Sequence, residues 1–199
     1  MPPSFADAPR LNDKEPTMLH KRPHLLSTAA LALVVTSGAF AQASAPAAKL
    51  SHQDNSFLKD AAEAGNAEVE GSKLALSQGA SADVKTFAQT MVDDHGKAGA
   101  ELQTLADQKG VKVSDKPSML KQGELKLLSK RKDASFDQHY ADSIGVKAHE
   151  DAVKLFQKEA DKGTDADVKA WAAKTLPTLQ HHLEMARALK TKTAAEPKK

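Results

Sequence analysis

Hydrophobic residues recur at helical spacing along most of the chain, and the clearest stretch is 84–106. One stripe of this segment is apolar: Val84, Phe87, Ala88, Met91, Ala98, Leu102, Leu105 and Ala106. This pattern is typical of an amphipathic helix with one buried face. His95 lies in the middle of the stripe. Its imidazole needs a polar partner there, because burying a polar group without one costs about 1–3 kcal/mol.

The same periodicity predicts four long helices, at about 54–78, 81–109, 135–162 and 164–190, and a shorter one at 119–130. Gly79 and Gly163 end the first and third helices, and Ser81 caps the second. A short repeat, ADVKTFA at 82–88 and ADVKAWA at 166–172, follows each glycine by the same distance. We therefore predict an all-α fold: a four-helix bundle of two helical hairpins, joined by a crossover that holds the short extra helix.

The N-terminal part of the chain has the pattern of an export signal. Residues 18–41 combine a basic start, an apolar run at 25–35 and a small-x-small site, Ala39-Phe40-Ala41. The apolar run is shorter than the roughly 20 residues of a membrane span, which disfavours an uncleaved anchor. We interpret 1–17 as an upstream extension, 18–41 as a signal peptide, 42–53 as a linker and 191–199 as a disordered tail. We expect a periplasmic or secreted protein with no stable membrane span after signal cleavage.

Composition excludes several classes of function. The chain has 28 Lys and Arg against 26 Asp and Glu, so it lacks the excess positive charge of a nucleic-acid-binding protein. It has no cysteine, which excludes disulfides, thiolate metal sites and thiol catalysis. There is also no HExxH motif, Gly-rich phosphate loop or Ser-His-Asp order.

Each predicted long helix places one side chain that could bind a metal on or beside its inward face. These side chains are Glu68, His95, His149 and His182. At about 1.5 Å per residue from the hairpin turns, all four lie near mid-height, with His182 about one turn away from the others. Helical bundles build metal sites from facing side chains at a shared depth. Asp94 and Tyr140 are candidate partners for the imidazole protons.

The spacing argues against a carboxylate-bridged di-iron site, which requires two Glu-x-x-His motifs. Val92, Val146 and Leu179 stand three residues before the three histidines. The pattern favours a single divalent ion, Fe, Zn, Mn or Cu, bound by imidazoles with or without Glu68. Three other acidic residues are predicted to be surface charges: Glu150, Glu159 and Glu184.

Three functions fit these residues at this point. The first is metal handling or stress defence through the bound ion. The second is a non-catalytic envelope or stress protein, in which the histidines form a structural core held by local hydrogen bonds. The third is a redox enzyme, which needs an open coordination position and a channel to it. Whether the protein is an enzyme stays open.

The segments AEAGNAEVEGSKLA, VKTFAQTMVDDH, FDQHY, AHEDAVKLF and WAAKTLPTLQHHLEMA occur in this order. Together they resemble the bacterial exported ferritin-like proteins that share the "domain of unknown function four-one-four-two", often labelled outer-membrane proteins. The resemblance covers about residues 57–189. It implies a ferritin-like bundle, an envelope location and a metal or stress role. The matching positions are Glu68, His95, Phe136, Asp137, Tyr140, His149, Pro177 and His182.

Overall fold

The computed structural model describes residues 49–195, which form helices and no strand. The elements are α1 (His52–Gln78), α2 (Ala82–Gln108), α3 (Met119–Leu128), α4 (Asp133–Tyr140), a π-helical segment (Ala141–Lys147), α5 (Ala148–Lys162) and α6 (Ala166–Ala195). The predicted all-α bundle of two hairpins with a short helix in the crossover is confirmed. The predicted extension 1–17, signal peptide 18–41 and most of the linker 42–53 lie outside the described residues.

Four long rods make up the bundle. The third rod consists of α4, the π-helical segment and α5 in succession, where the periodicity predicted one uninterrupted helix. Helix α1 packs against α2 and α5, and α6 packs against α5 and α2. The rods therefore occupy the corners of a square in which α2 lies diagonally opposite α5. Helix α3 covers the side of the bundle formed by α1 and α4.

Each hairpin caps the turn of the other hairpin with a buried aspartate. Asp137 of α4 accepts hydrogen bonds from the backbone N–H groups of Ala80, at 3.1 Å, and Ser81, at 2.7 Å. Asp54 of α1 accepts the equivalent bonds from Thr164, at 2.9 Å, and Asp165, at 3.2 Å. These N–H groups belong to the starts of α2 and α6, where helices leave backbone donors unpaired. The two caps are related by the internal repeat, and they hold the hairpins together at both ends.

Two hydrophobic clusters fill the interior. One contains Phe87, Met91 and Phe136, and the other contains Phe57, Leu102 and Phe156. Along α2, His95 falls between Met91 of the first cluster and Leu102 of the second. The buried histidines therefore form a polar layer between two apolar regions.

The ends of the bundle differ from the prediction. Helix α1 begins at His52, inside the predicted linker 42–53. Helix α6 continues to Ala195, so the predicted start of the disordered tail at residue 191 is too early. Thr193 is buried, and its backbone carbonyl accepts a hydrogen bond from Gln138 at 3.1 Å. The polar composition of 191–195 concealed this packing. Between residues 49 and 195, no helix combines the length and apolarity that a membrane span requires.

Glu159 was predicted to be a surface charge, and this is wrong. Its side chain is 1% exposed and receives a hydrogen bond from Gln53 at 3.1 Å, while its Oε1 has no partner. Burial and the adjacent carboxylate of Asp54 raise the pKa of Glu159 to about 7. A single carboxylate at the edge of a helical stripe gives no sequence signal for such burial. Glu150 and Glu184 lie at the surface or partly exposed, as predicted.

Candidate metal centre

Three imidazoles from three rods meet in the polar layer. His95 comes from α2, His149 from α5 and His182 from α6, and all three are buried. The ring centroids are 5.3–5.5 Å apart, and one ring nitrogen of each residue lies within 4.8 Å of the other two. His182 belongs to this group although residue counting placed it one turn away. Counts from a hairpin turn ignore how far one rod is shifted along its neighbour.

Glu68 of α1 lies behind His95. Its Oε2 is 2.8 Å from His95 Nδ1, and its Oε1 is 3.8 Å from His149 Nδ1. An ionised carboxylate can only accept a hydrogen bond, so Nδ1 of His95 carries the proton. Nε2 of a neutral His95 ring is then left with a free lone pair. Glu68 is thus placed to orient a ligand, as in carboxylate–histidine–metal arrangements.

The π-helical segment orients His149. The Nδ1 of this ring lies 2.8 Å from the backbone carbonyl of Gly145 and 3.2 Å from that of Ile144. Carbonyl oxygens only accept hydrogen bonds, so Nδ1 is the protonated nitrogen and Nε2 has the lone pair. A π-helix changes the i→i+4 bonding of the backbone, and such turns are frequent at functional sites.

Asp94 orients His182. Its Oδ2 is 3.1 Å from His182 Nε2, which therefore carries the proton. The other nitrogen, Nδ1, is buried and has no hydrogen-bond partner in the protein. Asp94, predicted from the sequence as a partner for an imidazole proton, is placed in that position.

These partners leave one lone pair on each ring, and two of the lone pairs face each other. His95 Nε2 lies 3.3 Å from His149 Nε2. Two nitrogens that bind one tetrahedral Zn²⁺ at about 2.0–2.1 Å are themselves about 3.3 Å apart. Three neutral imidazoles with lone pairs directed at a common region could hold a divalent ion. The neighbouring carboxylates of Glu68 and Asp94 supply two negative charges to balance it.

The carboxylate behind the rings is ionised at neutral pH. Burial alone would raise the pKa of Glu68, but the hydrogen bond from His95 and the attraction of the His95 and His149 rings in their protonated forms lower it to about 2. Burial lowers the pKa of His95, but the charge of Glu68 and the hydrogen bond to it have a larger effect, so the pKa of this ring is raised. Burial and the charge of His95 lower the pKa of His182 to about 4. Nδ1 of His182 is therefore unprotonated at neutral pH.

Tyr140 was the second residue predicted to hold an imidazole proton. The structure instead places its hydroxyl 2.8 Å from Ser72 Oγ, and the tyrosine is fully buried. Burial, opposed by the hydrogen bond with Ser72, raises the pKa of this hydroxyl. Tyr140 packs edge to face against Phe87, whose ring also contacts His149. It supports the centre through packing and does not bond to an imidazole.

The helical periodicity did not predict the π-helical segment, although the sequence contains a signal for it. The predicted metal site requires Tyr140 and His149, which are nine positions apart, both to face the interior. At 100° per residue, nine positions put two side chains on opposite sides of an α-helix. Both can face inward only if the helix accommodates an extra residue, as a π-turn does. The carbonyl partners of His149 follow from that insertion.

The comparisons with known proteins agree with this architecture. The family described as "Domain of unknown function (DUF4142)" matches residues 39–189. The chain belongs to this family. The match includes all four predicted metal-site residues and both cross-hairpin caps. No curated protein sequence is significantly similar to the chain.

Two solved structures are similar in fold to this member of the DUF4142 family. A DUF305 fragment from Deinococcus radiodurans is 11% identical, with a TM-score of 0.64 over 72% of this chain and 98% of its own. A conserved hypothetical protein, rv2844, from Mycobacterium tuberculosis is 16% identical, with a TM-score of 0.55 over 74% of this chain and 94% of its own. At these identities the likeness supports the helical fold alone.

Proposed function

We propose that the protein binds one divalent transition-metal ion, Fe, Zn, Mn or Cu in character, through His95, His149 and His182. Glu68 and Asp94 orient two of the rings and neutralise the ion's charge. The observation that carries this proposal is the arrangement of unshared lone pairs. His95 Nε2 and His149 Nε2 are 3.3 Å apart, and His182 Nδ1 is buried without a partner.

The alternative is a metal-free cluster held by hydrogen bonds. The 3.3 Å distance between His95 Nε2 and His149 Nε2 is also compatible with a hydrogen bond between the two rings. A doubly protonated His95 could donate both to Glu68 and to His149 Nε2. This arrangement still leaves His182 Nδ1 unpaired, whereas buried polar atoms ordinarily have a partner. An ion satisfies all three nitrogens at once, so we prefer the metal site.

Metal titration tests the proposal. The purified chain is stripped with a chelator and titrated with Zn²⁺, Cu²⁺, Fe²⁺ and Mn²⁺ by calorimetry, with elemental analysis after desalting. We expect one equivalent of at least one ion to bind, and His149→Ala to abolish that binding. His181→Ala is the matched control, because His181 is exposed and adjacent to His182. Failure of all four ions to bind, or equal binding by His149→Ala, would contradict the proposal and favour the metal-free cluster.

We further propose that this site serves metal handling or stress defence outside the cytoplasm. The support is the signal-like sequence at 18–41, whose cleavage would leave the histidine centre intact. Expression in a Gram-negative host, followed by fractionation and N-terminal sequencing, tests the location. We expect a periplasmic or secreted chain that begins near Gln42. A chain retained in the cytoplasm with residues 18–41 intact would contradict export.

A further inference from the structure

A cavity of about 290 Å³ lies beside the metal centre. Glu68 and His95 border it, and its other walls come from both hairpins. Three glycines line it, Gly65, Gly96 and Gly99, and a Cβ added at any of them would meet no atom within 4 Å. Gly96 and Gly99 are exposed, so the cavity opens to solvent on the side of α2 where these side chains are missing.

The internal repeat explains why this space exists. Each position of the first hairpin corresponds to the position 84 residues later in the second hairpin. Gly79 thus corresponds to Gly163, and Ala82 to Ala166. The third rod has one additional residue, because Asp54 precedes Gly79 by 25 positions and Asp137 precedes Gly163 by 26. The additional residue is accommodated by the π-helical segment, which lies between Asp137 and Gly163. The offset of 84 therefore applies to α5, which follows the π-helical segment.

The positions that correspond to the four residues of the metal centre hold side chains that cannot bind a metal. The counterparts of Glu68, His95, His149 and His182 are Ala152, Leu179, Gly65 and Ala98. All four counterparts line the cavity. The cavity is thus the position that a second, symmetry-related centre would fill, with its polar side chains replaced by apolar or small ones.

We propose that this cavity binds a small, mostly apolar molecule with one hydrogen-bond-donating head, an amine or a hydroxyl. Its volume is close to the lower end of the range for ligand pockets. The apolar walls, which include Leu102, Phe156 and Leu179, suit a hydrocarbon body. This inference goes beyond the proposed metal site, because the molecule binds whether or not an ion is present.

The charge at the cavity determines the head group. Glu68 borders the cavity, is 2% exposed and has one oxygen, Oε1, without a hydrogen-bond partner. Asp115 is also part of the lining, and neither Lys nor Arg is. A donor or cationic head group therefore meets a favourable field, whereas an anionic one is repelled. Asn66 donates to the backbone carbonyl of Ser114 at 3.0 Å and so fixes the loop at one edge of the cavity.

Titration with three probes of one size tests this inference. Benzylamine, benzyl alcohol and benzoate share an aromatic body and differ in the head group. The metal-free full chain and the Zn²⁺-loaded full chain are each titrated and followed by NMR. We expect saturable binding of the amine and the alcohol to both forms. In the metal-free form, where no ion balances Glu68, we expect benzoate to bind about tenfold more weakly or not at all.

Cavity-filling variants locate the binding. Gly65→Leu and Gly99→Leu add side chains to the lining where a Cβ has space, and we expect each to weaken amine binding by about tenfold or more. Gly123→Leu is the matched control, because Gly123 also has space for a Cβ but lies on α3, away from the cavity. Circular dichroism verifies the fold of each variant. Absence of saturable binding, equal binding of benzoate, or undiminished binding in both folded cavity variants would overturn the inference. Because metal-free protein is titrated, these results are independent of the metal proposal.

Discussion

Each histidine of the candidate metal centre is paired with one hydrogen-bond acceptor. Each imidazole has one nitrogen bonded to an acceptor, which is Glu68, Asp94 or the backbone of the π-helical segment. The identity of these acceptors sets the tautomer of each ring, and the tautomers leave the lone pairs for an ion. The sequence predicted Glu68 as a metal-site residue on the inward face of its helix and Asp94 as a partner for an imidazole proton. A backbone carbonyl carries no sequence signal, so the partner of His149 could not be predicted in the same way.

Asp94→Asn tests the pairing of Asp94 with His182. The uncharged amide oxygen accepts a weaker hydrogen bond from Nε2 of His182, and the amide NH₂ group can donate to that ring instead and favour the other tautomer. We therefore expect the metal affinity to fall about 10–100-fold. Calorimetric titration with the tightest-binding ion provides the measurement. Asp93→Asn is the control, because Asp93 is exposed and accepts a hydrogen bond from Gln89. Equal losses in the two variants would contradict a specific role for Asp94.

The buried Glu159 gives the stability of the protein a dependence on pH. Its pKa is about 7 in the folded chain against an ordinary value of 4.5, so folding favours the protonated form. The stabilisation is complete below pH 4.5 and is lost as the pH rises through 7. Glu159→Gln mimics the neutral form, and we expect it to raise the free energy of unfolding at pH 8 by about 2 kcal/mol and to have little effect at pH 4.5.

Urea denaturation at the two pH values measures this effect, with Glu184→Gln as an exposed control. A difference in the free energy of unfolding between Glu159→Gln and the natural chain that is the same at pH 4.5 and pH 8 would contradict a raised pKa of Glu159 in the fold.

Elements are held in register by the two crossed caps and by the π-helical segment. Asp137 satisfies the backbone donors of Ala80 and Ser81 across 57 and 56 positions of sequence. The repeat at 82–88 and 166–172 predicted the related hairpins from the sequence. It did not predict which side chain caps which turn, because the caps depend on how the hairpins pack together.

Asp137→Ala removes both of these hydrogen bonds at the turn between α1 and α2. We expect the free energy of unfolding to fall by about 2–3 kcal/mol, since bonds to a charged acceptor are stronger than neutral ones. Chemical denaturation provides the measurement. Asp107→Ala is the control, because Asp107 is exposed and bonded only to Gln103, and a change below about 0.5 kcal/mol is expected there. A loss no larger than the control's would contradict the capping role.

The molecule as a whole is an all-α bundle in which the polar layer lies between two hydrophobic clusters. The helical periodicity and the hairpin glycines were sufficient to predict this architecture. Convergence of three histidines was also predictable, because each stood on or beside an inward stripe, although His182 was expected about one turn away from the others. The buried tail at 191–195 and the cavity were not, since both arise from contacts between rods that the periodicity of one helix does not record.

Metal binding at the centre should stabilise the whole bundle, because an ion held by His95, His149 and His182 would contact three of the four rods. An ion at 100 times its Kd adds about 2.7 kcal/mol by mass action. For a domain of this size we expect Tm to rise by about 5–10 °C in a thermal scan with saturating ion. His149→Ala should show no such rise. A bound ion that leaves Tm unchanged would indicate a site on the surface or on the unfolded chain.

X-ray absorption spectroscopy of the Zn²⁺-loaded protein identifies the atoms that surround the ion. We expect three imidazole nitrogens at about 2.0–2.1 Å, with the scattering pattern of imidazole rings. His149→Ala should bind no ion and therefore show no imidazole pattern. An oxygen-only shell without imidazole scattering in the natural protein would contradict a metal centre at His95, His149 and His182.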